Sequence, residues 1–133
     1  MRVLMDTHYL IWAIYNEKKI PAELMDLLSD DGVTVEYSAA SLWESEIKHV
    51  KQPEKHEYSA SDLSYYAQLS GYQYLALQPD HIYKLGSLKD EKETGHKDPF
   101  DRMLIAQAKS EGMLFVTHDK RLLAYDEPCV KYW

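Results

Sequence analysis

The sequence has few of the features that mark secreted and membrane proteins. It contains one cysteine, Cys129, so no disulfide forms within the chain, and such sparse use of cysteine suits the reducing cytoplasm. The longest early uncharged stretch, residues 7–16, is too short to span a membrane and is flanked by Asp6 and Glu17 rather than by basic residues. We therefore expect a cytoplasmic protein with neither a membrane span nor a secretory signal.

Basic residues are scarce relative to acidic ones. Lys and Arg total 15 against 22 Asp and Glu, which gives a net charge of −7. This excess argues against a protein that binds nucleic acid by bulk electrostatic attraction. It remains compatible with a site where acids are gathered together and offset by bound cations.

Hydrophobic residues, by contrast, make up 45% of the 133 residues, enough for one domain, residues 1–133, with a substantial core. Periodicity predicts strands at residues 2–5, 33–37, 72–77, 113–117 and 129–132, and helices at 7–15, 21–31, 42–50, 61–70, 79–88 and 99–111. Alternating strands and helices predict an α/β fold with a short, mostly parallel sheet and helices on both faces.

The sequence also predicts the solvent exposure of one charged segment and of four aromatic residues. The charged segment 87–97 is expected to be a solvated, mobile loop. Trp12 and Trp43 are interpreted as core residues, and Tyr65 and Tyr66 as residues of the core and its flank rather than as an RNA-stacking platform.

Two aspartates in the C-terminal third are predicted to meet. Asp98 and Pro99 form a strong helix start, and Gly112 ends that helix. From Asp101 the helix descends roughly 16 Å at about 1.5 Å per residue. The strand that follows climbs roughly 20 Å to Asp119 at about 3.3 Å per residue. Asp101 and Asp119 should therefore lie at one level, on the carboxyl edge of the sheet.

Two further acids belong to the same edge. Asp6 directly follows the first strand, and Glu44 lies in the first turns of the helix after the second strand. In open α/β sheets, sites form at the carboxyl ends of the strands. Carboxylates that converge repel one another unless they are protonated or bridged by a cation, and an all-oxygen set selects Mg²⁺ or Mn²⁺ over Zn²⁺. The sequence thus predicts a metal site at Asp6, Glu44, Asp101 and Asp119.

Each acid also has a structural interpretation. Asp98 is most simply an N-cap, and Asp101, three residues later, has the spacing of a capping box, as does Glu44 after Ser41. Asp119 could start a short helix. The site hypothesis therefore depends on the four acids lying together rather than on any one of them.

Three histidines, His8, His96 and His118, each lie within two residues of one of these acids. They leave open a zinc site, although they lack the four-residue helical spacing of metalloprotease ligands and have no cysteine nearby. A role beside the metal or against the substrate is the preferred interpretation.

Four motifs carry a family resemblance. "VLMDTHYLIW", "SAASLWESEIK", "HKDPFDRMLIAQA" and "LFVTHD" resemble, in order and over nearly the whole chain, the PIN-domain ribonucleases, specifically the VapC-type toxins of toxin–antitoxin pairs. The resemblance implies a single-domain α/β/α fold and a metal-dependent endoribonuclease. It also implies a homodimer and a cognate antitoxin that blocks the site with a basic side chain.

Carried over motif by motif, the family's acidic quartet falls on Asp6, Glu44, Asp101 and Asp119, with Asp98 as an auxiliary acid. The resemblance and the residues together suggest that the first three hold one Mg²⁺ or Mn²⁺ ion and that Asp119 completes or shares a second position. Thr7 and Thr117 are candidates for hydrogen bonds that orient the carboxylates. The candidate RNA contacts are Lys48, Lys97, Arg102, Lys120 and Arg121.

This sequence departs from the family pattern at "KHVKQPEKHEY", residues 48–58, where many relatives carry a shorter basic and glycine-containing segment. Two functions of other classes also remain open. One is a non-catalytic dimerisation or binding module whose acids are helix caps. The other is an aspartyl-phosphate phosphotransfer enzyme, which normally needs a second acid where this chain has His8.

Overall fold

Short hydrophobic runs form the centre of the fold, which the computed structural model describes for all residues, 1–133. The five strands are β1 Arg2–Met5, β2 Thr34–Ser38, β3 Gln73–Leu75, β4 Leu114–Thr117 and β5 Val130–Tyr132. In β1 the side chains of Val3, Leu4 and Met5 are all fully buried. A strand buried on both faces must lie in the middle of a sheet covered on each side.

The sheet has the order β3-β2-β1-β4-β5, and every neighbouring pair is parallel. Val3 of β1 pairs with Val35 on one side and with Leu114 on the other. The chain therefore builds outward from β1 to β3, and then crosses back to build β4 and β5 on the opposite side. The predicted α/β fold with a parallel sheet is confirmed.

Helices cover both faces of this sheet. They are α1 Thr7–Tyr15, α2 Ala22–Leu28, α3 Ala39–Lys51, α4 Ala60–Leu69, α5 Pro79–Lys84, α6 Glu91–Thr94 and α7 Pro99–Glu111, with 3₁₀ turns at Glu17–Lys19, Leu85–Ser87 and Lys120–Tyr125. Two separate hydrophobic clusters result. One joins β1 to residues of α1, α2 and α4, and the other joins Leu4 and Phe115 to α7 and to the last 3₁₀ turn.

The ends of α7 follow the sequence signals. Asp98 is the N-cap, and its Oδ1 accepts hydrogen bonds from the backbone N–H groups of Phe100 (2.8 Å) and Asp101 (3.1 Å). At the other end Gly112 has a φ of 68°, a left-handed conformation that glycine adopts without the steric cost of a Cβ. The chain then enters β4 directly, which brings Asp119 back to the level of Asp101.

The expectations about the charged segment 87–97 and about the burial of three aromatic residues are wrong. The charged segment is not simply solvated, because Asp90 and Glu93 form a reciprocal capping box that starts α6, and His96 after it is buried. Trp43 is not a core residue, since 63% of it is exposed, and Tyr65 and Tyr66 are 60% and 44% exposed. Helical periodicity reports which face a residue occupies but not whether a neighbouring helix covers that face.

No helix in the structure combines the length and the apolar composition that crossing a membrane requires.

Candidate active site

The sequence-predicted acids lie where the strand order reverses. Asp6 follows β1, the central strand, whose two neighbours are β2 on one side and β4 on the other. Glu44 lies in α3, which begins directly after β2, and Asp119 lies just beyond β4. In doubly wound α/β sheets, a switch of this kind at the carboxyl ends of the strands opens the crevice that holds ligands.

Asp6 is the most firmly fixed of the acids. It is 3% exposed, and its Oδ1 accepts a hydrogen bond from the backbone N–H of Tyr9 at 2.8 Å, which makes Asp6 the N-cap of α1. Its Oδ2 accepts from the Thr117 hydroxyl at 2.7 Å and from the backbone N–H of His118 at 2.8 Å. Asp6 therefore ties β1 to β4 as well as facing the site. Thr117 makes the kind of contact predicted for it, whereas Thr7 donates instead to the Ser41 hydroxyl at 3.0 Å.

Glu44 combines burial with incomplete hydrogen bonding. It is 7% exposed, and its Oε2 accepts from the Lys48 ammonium at 3.1 Å, one turn further along α3. Its Oε1 is buried and has no hydrogen-bond partner in the protein. A buried carboxylate oxygen without a partner is costly, so a cation or a donor from a ligand would stabilise it.

Asp101 shows that the acids converge. Its pKa is raised from 3.8 to about 7, first because burial disfavours the charged carboxylate, and then because of the negative charges of Asp98, Glu44, Asp6 and Asp119. The four acids predicted from sequence, and Asp98 with them, thus act on one another electrostatically. The side chain of Asp101 takes no part in a capping box.

Asp119 has a charge partner of its own. Arg121 donates to both of its carboxylate oxygens, with Nη2 2.7 Å from Oδ2 and Nε 3.0 Å from Oδ1. This pairing holds the pKa of Asp119 below its ordinary value. The pKa values of Asp119 and Asp101 are therefore shifted in opposite directions, that of Asp119 down by its arginine and that of Asp101 up by burial and neighbouring acids.

His96 is the residue that sequence reasoning did not assign to the site with a defined role. It is 5% exposed, its Nε2 lies 3.3 Å from Asp101 Oδ2, and its Nδ1 is 3.1 Å from the Tyr125 hydroxyl. One ligand atom from each of His96, Asp101 and Asp119 falls within 4.8 Å of the others. The only sequence signal was its position two residues before Asp98, because the burial of His96 at the end of a largely exposed segment was not predicted.

The candidate RNA-contacting cations divide into two groups. Lys97 and Lys120 are exposed, and Lys48 is half-exposed beside Glu44. Arg102 and Arg121 are already engaged, since Arg102 donates to the carbonyl of Lys89 at 2.8 Å and Arg121 pairs with Asp119. The lysines of the first group thus present exposed or half-exposed ammonium groups, while the two arginines have structural contacts that sequence spacing could not reveal.

The donor chemistry fits a hard divalent cation. Four carboxylates supply oxygen ligands, and the buried Oε1 of Glu44 has no hydrogen-bond partner in the protein. Burial and then the neighbouring negative charges raise the pKa of Asp101, and a cation would offset both effects. His96 offers a nitrogen ligand within 4.8 Å of the oxygens of Asp101 and Asp119. The carboxylate majority suits Mg²⁺ or Mn²⁺, which prefer oxygen ligands.

Solved structures share this architecture. VapBC2 from Rickettsia felis, solved bound to a DNA fragment from the VapBC2 promoter, is similar with a TM-score of 0.72 at 18% identity, over 100% of this chain and 99% of that chain. VapBC from Salmonella typhimurium, solved bound to DNA, gives 0.65 at 19% identity over 100% and 97%. VapBC-5 from Mycobacterium tuberculosis gives 0.61 at 18% identity over 98% and 96%. At these identities the likeness establishes the fold.

No curated protein sequence matches the chain significantly. The family model of the PIN domain, however, matches residues 3–128, which include all of the acids described above. The match agrees with the four motifs of the sequence and with the five-stranded parallel sheet. The chain therefore belongs to the PIN domain family.

Proposed function

We propose that this protein is a Mg²⁺- or Mn²⁺-dependent endoribonuclease and acts on cytoplasmic RNA as the toxin of a toxin–antitoxin pair. The observation that carries the proposal is the gathering of acids at one sheet edge, where ligand atoms of His96, Asp101 and Asp119 lie within 4.8 Å of one another and the buried Oε1 of Glu44 has no hydrogen-bond partner. Such a cluster costs stability when empty of cations, so its presence points to a function. Membership of the PIN domain family favours nuclease chemistry over the non-catalytic module.

Each residue has a distinct task in this proposal. The metal, when bound, supplies Lewis-acid activation of a water and positive charge opposite the phosphodiester. Asp6 is held rigid by Tyr9, Thr117 and His118, so its carboxylate is oriented before the metal arrives. Asp101 would be one of the metal ligands, and a bound cation would favour its ionised form over the protonated form that burial and the neighbouring acids favour. Lys48 stands beside Glu44, where its ammonium can contact a phosphate oxygen.

The test is cleavage of RNA by purified protein in metal-free buffer and after addition of Mg²⁺, Mn²⁺ or Zn²⁺. We expect no cleavage in EDTA, cleavage with Mg²⁺ or Mn²⁺, and a rise in melting temperature with Mn²⁺, because a bound ion stabilises the folded state. Glu44→Gln is the matched control, since it keeps the shape of the side chain and removes one charge. Cleavage that persists in Glu44→Gln would come from a contaminant and would count against the proposal.

The toxin assignment adds an antitoxin as partner. Several similar structures are VapBC or FitAB complexes, and FitAB was solved bound to a DNA fragment. In this chain, four carboxylates at one edge would attract an Arg or Lys side chain of the antitoxin, and charge-assisted hydrogen bonds are strong in a partly buried site. Addition of the cognate antitoxin should therefore stop cleavage in the assay above.

We also propose a homodimer formed through an apolar patch on α3. Trp43, Ile47 and Val50 occupy one helical face and are 63%, 41% and 73% exposed. Trp43 packs edge-to-face on Phe100 at a ring distance of 5.0 Å, which extends the patch onto α7. A twofold axis would place this patch against its own copy, so both apolar surfaces would leave water together.

For this dimer, Val50→Glu should shift the protein from dimer to monomer at micromolar concentration, because each interface would then bury two unpaired charges. Light scattering measures the change. Leu69→Glu is the matched control, since Leu69 is 67% exposed near the end of α4 and lies outside the patch. A wild-type protein that is monomeric at these concentrations, or an equal effect of both substitutions, would contradict the dimer.

A further inference from the structure

A cleft lies next to the acidic site, and most of its lining residues make none of the contacts described above. Its volume is about 240 Å³, and its lining includes the apolar side chains Ile11 and Leu63, the aromatic side chains Trp12 and Tyr58, and the basic side chains Lys48 and Lys55. Pockets for drug-sized molecules are roughly 300–1,000 Å³. The cleft is therefore suited to one flat group of a ligand rather than to a whole large molecule.

One wall of the cleft is made by the segment in which this chain departs from the family pattern. After α3 the chain turns at Gln52, whose carbonyl accepts from the backbone N–H groups of Lys55 and His56, both at 3.0 Å. The ring of His49 hydrogen-bonds through Nδ1 to the carbonyl of His56 at 2.7 Å. These contacts give the segment a defined conformation and bring Lys55 and Tyr58 to the cleft.

The aromatic wall is also held in place. The ring of Tyr58 stacks on that of Tyr15 with a centroid distance of 3.5 Å and an interplanar angle of 6°. Trp12 contacts the ring of His118 at 4.8 Å and that of His8 at 5.8 Å. Aromatic rings fixed by such packing lose little entropy when a second planar group binds against them.

Two lysines at the cleft can contact an anionic group of a ligand. Lys48, Lys55, His8 and His56 line it, against a single acid, Glu57. Lys48 is partly neutralised by Glu44, so Lys55 supplies the positive charge that has no ion-pair partner. A ligand that combines a planar aromatic group with negative charge fits both features.

The cleft borders the acidic site, since Lys48 lines the cleft and its ammonium lies 3.1 Å from Glu44 Oε2. Thr7 and Ser45 line the cleft, and they directly follow Asp6 and Glu44 in the chain. The hydroxyl of Ser45 is buried and has no hydrogen-bond partner in the protein, so a ligand in the cleft would satisfy it. One chain of nucleotides can thus reach from the cleft to the carboxylates.

We propose that this cleft binds an unpaired base of single-stranded RNA and that Lys48 and Lys55 bind the phosphates beside it, which rests on the proposed function. A base enters such a cleft only when it is separated from its pairing partner, and single-stranded segments present their bases for stacking on aromatic side chains. The cleft thereby favours flexible RNA over a duplex and positions a neighbouring phosphodiester at the acids.

The test measures the affinity of the full chain, carrying Asp101→Asn to prevent cleavage, for a labelled single-stranded oligoribonucleotide by fluorescence anisotropy. We expect Tyr58→Ala and Lys55→Glu each to weaken binding about tenfold, as loss of a stacked base or a phosphate contact does. Tyr58→Phe should bind like the parent. Lys84→Glu makes the same charge change on α5, where Lys84 lines a different pocket with Asp80 and Ser110, and should change affinity less than threefold.

A second ligand separates the base from the phosphates. With a ribose–phosphate oligomer that lacks bases, Tyr58→Ala should have no effect and Lys55→Glu should keep its effect. Equal weakening by Lys84→Glu and Lys55→Glu would overturn the proposal, because it would show that affinity depends only on the net charge of the protein. The proposal would also be overturned if Tyr58→Ala and Lys55→Glu weakened binding of the antitoxin and left the affinity for RNA unchanged. The cleft would then be occupied by a protein.

A cleavage assay on the chain without Asp101→Asn distinguishes this proposal from the proposed function. If RNA is cleaved and neither cleft variant changes binding, the cleft proposal fails and the nuclease stands. If binding depends on Tyr58 and Lys55 but no metal supports cleavage, the cleft proposal stands and the nuclease fails.

Discussion

Asp101→Asn should reduce RNA cleavage by orders of magnitude and should raise the melting temperature of the metal-free protein at pH 8. The loss of activity follows from removing a carboxylate that the proposed function assigns to the metal. The gain in stability follows because the wild-type carboxylate is forced to ionise among other acids in a largely buried position. Thermal melts and cleavage assays on the same preparations would measure both.

The pH dependence of stability has a definite sign. The folded-state pKa of Asp101 is about 7, whereas the ordinary value is 3.8, so between these values the folded state binds more protons than the unfolded state. The free energy of unfolding of the metal-free protein should therefore fall as pH rises from about 4 to 7, by on the order of 3–4 kcal/mol from this group. Asp101→Asn should flatten this part of the profile, as should saturating Mn²⁺.

Asp98 provides the matched control on the same helical turn. Its carboxylate caps α7 by accepting from Phe100 and Asp101, and asparagine caps about as well as aspartate. Asp98→Asn should therefore keep most of the activity and stability, whereas Asp98→Ala should cost about 1 kcal/mol of stability. If Asp98→Asn is as inactive as Asp101→Asn while both fold normally, Asp98 contacts the metal and the division of roles between them is wrong.

The sheet edge was predictable because the lengths of regular elements are fixed by geometry. Helix and strand rises alone placed Asp101 and Asp119 at one level, and oxygen and nitrogen atoms of His96, Asp101 and Asp119 indeed lie within 4.8 Å of one another. Asp98 as N-cap and Gly112 as helix end were equally local signals. These predictions needed no knowledge of how the helices pack.

The errors concern contacts between distant parts of the chain. Burial of His96 depends on Tyr125, 29 residues away, and the engagement of Arg102 depends on the carbonyl of Lys89. The exposure of Trp43 depends on which surface of α3 has no neighbouring helix. Periodicity cannot supply such information, because it describes one element at a time. The family resemblance supplied the set of acids but not these contacts.

Replacement by asparagine should change the stability of the protein in opposite directions at Asp6 and at Asp101. Unlike the side chain of Asp101, that of Asp6 accepts three hydrogen bonds, one at Oδ1 from Tyr9 and two at Oδ2 from Thr117 and His118. Asparagine has a single acceptor oxygen, and its NH₂ group would face a backbone N–H in either orientation. At least one buried donor would lose its partner, at a cost of about 1–3 kcal/mol.

Asp6→Asn should therefore abolish cleavage and also lower the free energy of unfolding of the metal-free protein, although it removes a negative charge from the same cluster. Urea unfolding at pH 8 in EDTA compares it with Asp101→Asn, which should unfold at higher denaturant concentration than wild type. Thr117→Val tests the origin of the loss, because it removes one donor to Asp6 and keeps the shape of the side chain. Thr117→Val should itself lower the free energy of unfolding, since the buried carboxylate of Asp6 then loses one of its three donors. Equal stabilisation by Asp6→Asn and Asp101→Asn would show that charge repulsion alone governs this edge and that the three hydrogen bonds to Asp6 contribute little.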